Sequence, residues 1–170
     1  VKKIRIQDQP KNCIRTNSGL YINVFNTKPE MICIEDIAHS LATLPRFGGH
    51  LNRHYSVAQH SVLCARRARS KEDKRAALLH DASEAFMLDM PTPIKARLGL
   101  YKRFEHKLSE AILKKFGVVY PYSKNIKKID TRMLHIEWDN LAINDNKGFE
   151  CWTKARGKRE FLKMYKELFT

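Results

Sequence analysis

The sequence predicts an all-helical domain preceded by one short β-hairpin. Three observations carry this reading. From Ile34 onward apolar residues recur every three or four positions, Pro and Gly punctuate those runs, and strand-favouring alternation is confined to the first 33 residues. With 170 residues the chain has the length of one domain with its own core. Residues 1–170 are therefore read as a single unit, with 1–33 as a hairpin extension.

Each element follows in order. Ile14-Arg15-Thr16, Asn17-Ser18-Gly19 and Leu20 to Phe25 read as strand, Gly-bearing turn and strand, and Pro29 ends the section. Ile34, Ile37, Ala38, Leu41 and Ala42 mark one face of a helix closed by Pro45. Arg46 to Tyr55 has two glycines and no period, so it is a loop. Ser56 suits the N-cap of a second helix reaching Ala68, with Val57, His60, Cys64 and Ala65 near one face. A third helix runs from Glu72 to Met87, with Ala76, Leu79, His80 and Ser83 at core spacing, and the run Asp89-Met90-Pro91-Thr92-Pro93 breaks it before a turn through Lys95. The fourth, Tyr101 to Phe116, turns Phe104, Leu108, Ala111 and Ile112 inward, and Gly117 fits its C′ position. The fifth, Ser123 to Ile143, is expected to bury Ile126, Ile129, Met133 and the stretch His135 to Trp138. After a loop from Asn144 to Gly148, Lys158 to Leu168 can form a last amphipathic helix.

Lys and Arg number 32 against 18 Asp and Glu, a net charge of +14, which favours anionic partners without choosing among them. The four cysteines, Cys13, Cys33, Cys64 and Cys151, form no Cys-x-x-Cys pair, which argues against a thiolate zinc site and against a disulfide framework. No apolar run approaches the roughly 20 residues of a membrane span. The opening Val1-Lys2-Lys3-Ile4-Arg5 is not followed by the apolar stretch of a signal peptide, so a cytoplasmic protein without membrane contact is expected.

Chemistry concentrates at His80-Asp81, inside Ala76-Ala77-Leu78-Leu79-His80-Asp81-Ala82-Ser83-Glu84. A buried Asp beside a His is costly unless it is paired or bound to a cation. Glu84 shares their helical face, so three ionisable groups project from an Ala- and Leu-rich stretch. His60 lies on the apolar side of the second helix, and Asp130 lies beside the inward residues of the fifth. Two imidazoles and two carboxylates from three helices make an N2O2 set suited to Zn, Mn, Fe, Co or Ni, with coordination places left open.

The order His60, His80-Asp81, Asp130 resembles the H…HD…D signature of the HD-domain phosphohydrolases. The segments Tyr55 to Ser61, Leu78 to Ala85 and Asp89 to Lys95 resemble the small deoxynucleotide-cleaving branch, which includes 5′-deoxynucleotidases and phage-type dATP triphosphohydrolases. The stretch Ile34 to Ala42 is similar to the opening helix of phage and bacterial members, and the resemblance runs from Ile34 to Asn140. It implies an HD-domain helical bundle in which His60, His80, Asp81 and Asp130 bind a divalent transition metal.

The resemblance also assigns roles. Glu84 and Asp89 stand where catalytic carboxylates act near the scissile phosphate, with room for further ions beside them. Arg46 corresponds to a phosphate-gripping Arg, and Phe47 stands where an indole usually walls the deoxyribose. Lys95 resembles a phosphate-binding Lys. A homo-oligomer, a deoxynucleotide substrate and, in a viral setting, removal of dATP from the host cytoplasm are implied. The leading expectation is cleavage of dATP to deoxyadenosine and tripolyphosphate. A 5′-deoxynucleotidase, another HD activity on cyclic nucleotides or alarmones, and a basic nucleic-acid-binding module stay open beside it. The last lacks any nucleic-acid motif or aromatic–basic interleaving, so no nucleic-acid partner is expected. His39, His54 and His135 are set aside as ligands, because His54 lies in the loop and the others suit helix surfaces or satisfied core sites.

Overall fold

The computed structural model describes residues 5–170; Val1-Lys2-Lys3-Ile4, the opening of the segment judged against a signal peptide, lies outside them. The architecture is all-helical with one two-stranded antiparallel hairpin, β1 (Cys13–Arg15) and β2 (Tyr21–Asn23), paired through Ile14 and Ile22. Gly19 takes φ +93° in its turn, a conformation that glycine adopts without a Cβ clash. The hairpin is tied down by the next element. Ser18 donates through its backbone N–H (2.7 Å) and its hydroxyl (2.6 Å) to the buried carboxylate of Asp36.

Helix α1 (Ile34–Thr43) buries Ile37, Ala38, Leu41 and Ala42 as its spacing requires. Helix α2 (Val57–Arg67) begins at Ser56, whose side chain accepts from the Gln59 N–H, and nearly all of its first nine residues are buried. It is the central helix, packed against α1, α3 (Lys71–Leu79), α7 (Lys124–Glu137) and α8 (Lys154–Phe169). Phe161, Leu78, Leu79, Leu108, Ile112, Leu113 and Met133 complete the core.

Four expectations need correction. The helix expected from Glu72 to Met87 is two pieces, α3 and α4 (Glu84–Met87), joined by turns at residues 80–83. The cause is a competing donor. In a continuous helix the His80 carbonyl would accept from the Glu84 N–H; here it accepts from the Tyr122 hydroxyl (2.9 Å), and the Glu84 N–H donates to the Asp81 carbonyl (3.0 Å). Helix α4 then stops at Leu88, with φ +70°, before the Pro-rich turn and the short α5 (Thr92–Lys95).

Helix α6 (Gly99–Lys115) ends with Gly117 at φ +66°, although Phe104 and Ala111 are only partly buried. The fifth expected helix becomes π-helical over Trp138–Ile143, and within His135–Trp138 only Glu137 is fully buried. His135 and Trp138 are exposed. Finally, α8 starts at Lys154, capped by Thr153, four residues before the expected start. A Gly inside it obscured that start: at Gly157 a Cβ would meet the Ser56 hydroxyl at 3.3 Å and the Ala42 Cβ at 3.4 Å, so the glycine marks close helix approach rather than a break.

Candidate metal centre and its cleft

Three elements bring the expected ligands together: His60 from α2, His80 and Asp81 from the turn after α3, and Asp130 from α7. The His60 Nε2 lies 3.3 Å from the His80 Nε2, 3.6 Å from Asp81 Oδ2 and 3.4 Å from Asp130 Oδ1. The His80 Nε2 lies 3.2 Å from Asp81 Oδ2 and 3.9 Å from Asp130 Oδ1. Four donor atoms each about 2.0–2.2 Å from one ion lie about 3–4 Å apart. The spacing fits a single divalent cation.

The outer contacts aim both imidazoles. The His60 Nδ1–H donates to Glu137 Oε1 at 2.6 Å, and the His80 Nδ1–H donates to the Ala77 carbonyl at 2.8 Å. With both Nδ1 protons spent outward, both Nε2 lone pairs face the same point, the arrangement of metal-bound histidines. At that point the carboxylates demand a positive charge. Burial and Arg46 oppose a proton on His60, yet Glu137 and Asp130 outweigh them and hold its pKa well above the usual histidine range. A bound cation would meet the same demand. Burial works to raise the Asp130 carboxyl, but hydrogen bonds from His60 and His80 keep it well below the carboxylate range.

Glu137 is the residue that sequence reasoning missed. It is 0% exposed and accepts from the Tyr55 hydroxyl at 2.7 Å and from Arg46 Nε at 3.0 Å, besides His60. Seven residues beyond Asp130, it lies on the same face of α7. That spacing was a usable signal, but a charged residue in an expected apolar position hid it.

One thiol also stands close. The Cys64 Sγ lies 3.5 Å from the His60 Nε2, and His60, Cys64 and His80 form a group that could hold a metal ion. This amends the inference drawn from cysteine spacing alone, because a single Cys four residues after His60 reaches the site without any Cys-x-x-Cys motif. All four cysteines are free.

The centre opens on a cleft of about 910 Å³ lined by Arg46, Phe47, Asp81, Glu84, Asp89, Lys95, Asp130 and Trp138, among others. Every expected site residue except the buried His60 and the partly buried His80 therefore lines it. Glu84 is buried, its Oε2 has no hydrogen-bond partner, and burial together with Asp81 and Asp89 pushes its pKa well above the usual value. Burial likewise raises Asp89, against the pull of Arg46. An orphaned buried carboxyl oxygen beside a cluster of acids is the pattern expected where a cation or a reacting group belongs.

Arg46 is bound to Glu137 and lies 3.8 Å from Asp81. Lys95 is paired with Glu105 at 2.5 Å. Both line the cleft while already holding acidic partners. The Phe47 ring, on a backbone with φ +56°, lies 5.9 Å from the Trp138 indole. The Trp138 indole, from the π-helical segment, lines the same cleft as Phe47. The His54 Nε2–H donates to the Ala42 carbonyl (3.1 Å).

No protein-family profile matches the chain. The uncharacterized protein YfdR of Escherichia coli (strain K12) is 41% identical over 132 residues, covering 78% of this chain and 74% of that protein. An uncharacterized protein of Rhodobacter capsulatus is 37% identical over 141 residues, 75% of this chain and 72% of its own length. The fold and site thus define an all-helical protein with a histidine-centred group able to take a metal. The chain belongs to one family with these two proteins. Among the described residues no helix is long and apolar enough to cross a membrane.

Proposed function

We propose that the protein is a divalent-metal-dependent phosphohydrolase of the HD type that cleaves 2′-deoxynucleoside triphosphates, with dATP as the leading substrate. One observation carries this reading: the two Nε2 atoms, aimed by Glu137 and by the Ala77 carbonyl, converge with Asp81 and Asp130. His60, His80, Asp81 and Asp130 would hold Zn, Co, Mn, Fe or Ni. An ion bound there lowers the pKa of water toward roughly 7 and polarises a phosphoryl oxygen.

The chain's own residues supply the rest. Water attacks the α-phosphorus; a new P–O bond forms, the bond to O5′ breaks, and O5′ leaves with a proton as deoxyadenosine. Glu84, whose pKa is raised by burial and by Asp81 and Asp89, is the group to exchange that proton through Oε2. Asp89, eight residues after Asp81 and on the same cleft, orients the reacting water or a further ion. Arg46 and Lys95 offset phosphate charge, and Phe47 with Trp138 gives an apolar wall for the sugar. The similarity of Ile34–Ala42 and of Val57-Ala58-Gln59-His60-Ser61 to phage-type enzymes favours the triphosphate and adenine.

The test is a panel of dNTPs, dNMPs and rNTPs with Mn, Co, Mg and Zn, with products resolved by chromatography. Tripolyphosphate and deoxyadenosine from dATP are expected. Orthophosphate from monophosphates, with no tripolyphosphate from dATP, would make the protein a 5′-deoxynucleotidase instead. DNA binding that salt abolishes, with no metal-restored cleavage, would leave only a basic binding module.

A further inference from the structure

A second, smaller chamber of about 280 Å³ adjoins the metal centre, with neither Phe47 nor Trp138 in its lining. It shares Asp81, Glu84 and Lys95 with the main cleft and reaches His80. Its far side is formed by Lys102 and His106 on α6 and by Tyr120 and Tyr122 beyond it. Of its acids, Glu105 is paired with Lys95 and Asp81 belongs to the ligand set, while Glu84 keeps an unpartnered Oε2 toward the reacting centre. Lys102, by contrast, has only a long contact to the Ala96 carbonyl (3.4 Å) and no carboxylate partner among the described residues. The exposed His106 is held by the Tyr120 hydroxyl at 2.6 Å, and the Tyr122 hydroxyl donates to the His80 carbonyl.

We propose that this chamber is a polyphosphate subsite, in which Lys102 and His106, with Lys95 at its mouth, bind the phosphates beyond the scissile one. The inference rests on the functional reading above and deepens it. In an in-line displacement at the α-phosphorus the attacking water and O5′ occupy the two ends of one axis, so the β- and γ-phosphates depart sideways. A triphosphate therefore needs two spaces meeting at the reacting centre, whereas a monophosphate needs only one. The larger space has Phe47, Leu134 and Trp138 to receive a sugar and base. The smaller one presents ammonium, imidazole and hydroxyl groups, the chemistry suited to a chain carrying about four negative charges.

The experiment is calorimetric titration of the metal-loaded protein with inorganic tripolyphosphate, orthophosphate and deoxyadenosine, with metal content checked afterwards. Wild type is compared with the double variant Lys102→Ala, His106→Ala, whose positions are exposed and outside the core. The expected result is a loss of about tenfold or more in tripolyphosphate affinity with deoxyadenosine binding unchanged. Equal tripolyphosphate affinity in the two proteins, or none in wild type, overturns the subsite. The two levels separate cleanly. If dATP gives tripolyphosphate yet the variant binds it like wild type, the reaction stands and the subsite falls. If dATP is not cleaved but the variant still loses tripolyphosphate, the subsite stands and the proposed reaction falls.

Discussion

The two ends of the main cleft are built in opposite ways. At the metal end the two imidazoles are each fixed by a second contact, His60 by Glu137 and His80 by the Ala77 carbonyl, and Glu137 is held in turn by Tyr55 and Arg46. At the other end Phe47 sits on a loop between two glycines of positive φ and the chain's Arg46, and Trp138 is 49% exposed at the start of a π-helical segment. The first end is rigid because its groups are costly to bury singly and must satisfy one another. The second is a wall of aromatic surface whose cost of rearrangement is small. A site that must place charge to a fraction of an ångström is over-determined; a site that need only exclude water or a hydroxyl is not.

The largest expected effect breaks the metal end directly. His80→Ala removes one of the two converging imidazoles, so metal content by elemental analysis is expected to fall to background and hydrolysis with it. Glu84→Gln is expected to keep at least one ion and lose about 10²–10⁴-fold in kcat, since it removes proton exchange and leaves the ligand set intact. Loss of the ion in that variant would move Glu84 into the ligand shell. Glu137→Gln sharpens the comparison. It touches no ion, yet metal affinity is expected to fall about 10–100-fold, because a neutral amide replaces the carboxylate that orients and polarises the His60 ring. It also leaves the Arg46 charge buried without a full partner, so a lowered Tm is expected as well.

The pH dependence of stability probes the same end with metal removed by chelation. The Asp130 and Glu137 carboxyls lie below their ordinary values of 3.8 and 4.5 in the folded protein. The folded state therefore binds fewer protons than the unfolded state, so their stabilisation is fully present above the ordinary values and fades as pH falls below them. Tm of chelated wild type should drop steeply below pH 4.5, and Asp130→Asn should flatten that drop. At the far end Trp138→Ala is expected to raise KM for the deoxynucleotide only several-fold with kcat nearly unchanged, in line with the loss of one half-exposed aromatic contact. A large kcat effect there would show that the wall, too, is part of the precise machinery.

The same contrast explains what could be read in advance. The convergence of His60, His80, Asp81 and Asp130 could be anticipated because each ionisable residue stands among apolar ones in its segment. The helices α1, α2 and α6 were legible from period and punctuation, and the hairpin from its turn. The break after Leu79 was not, since it depends on a hydroxyl from Tyr122, 42 residues after His80. Trp138 was assigned inward because a regular 3.6-residue period was carried through a segment that widens to a π-helix. Glu137 was hidden for a related reason: its burial is tolerable only with Tyr55, Arg46 and His60 around it, and no local pattern announces three partners 77 to 91 residues distant.

The position of α8 carries a consequence for how the protein comes to be made. This helix packs on α1, α2 and α3, with Gly157 seated against Ala42 and Ser56 at the start of the helix that holds His60. During synthesis the histidines and acids emerge long before the segment that clamps their scaffold. The scaffold around them should therefore close only once that downstream segment has been made and docked.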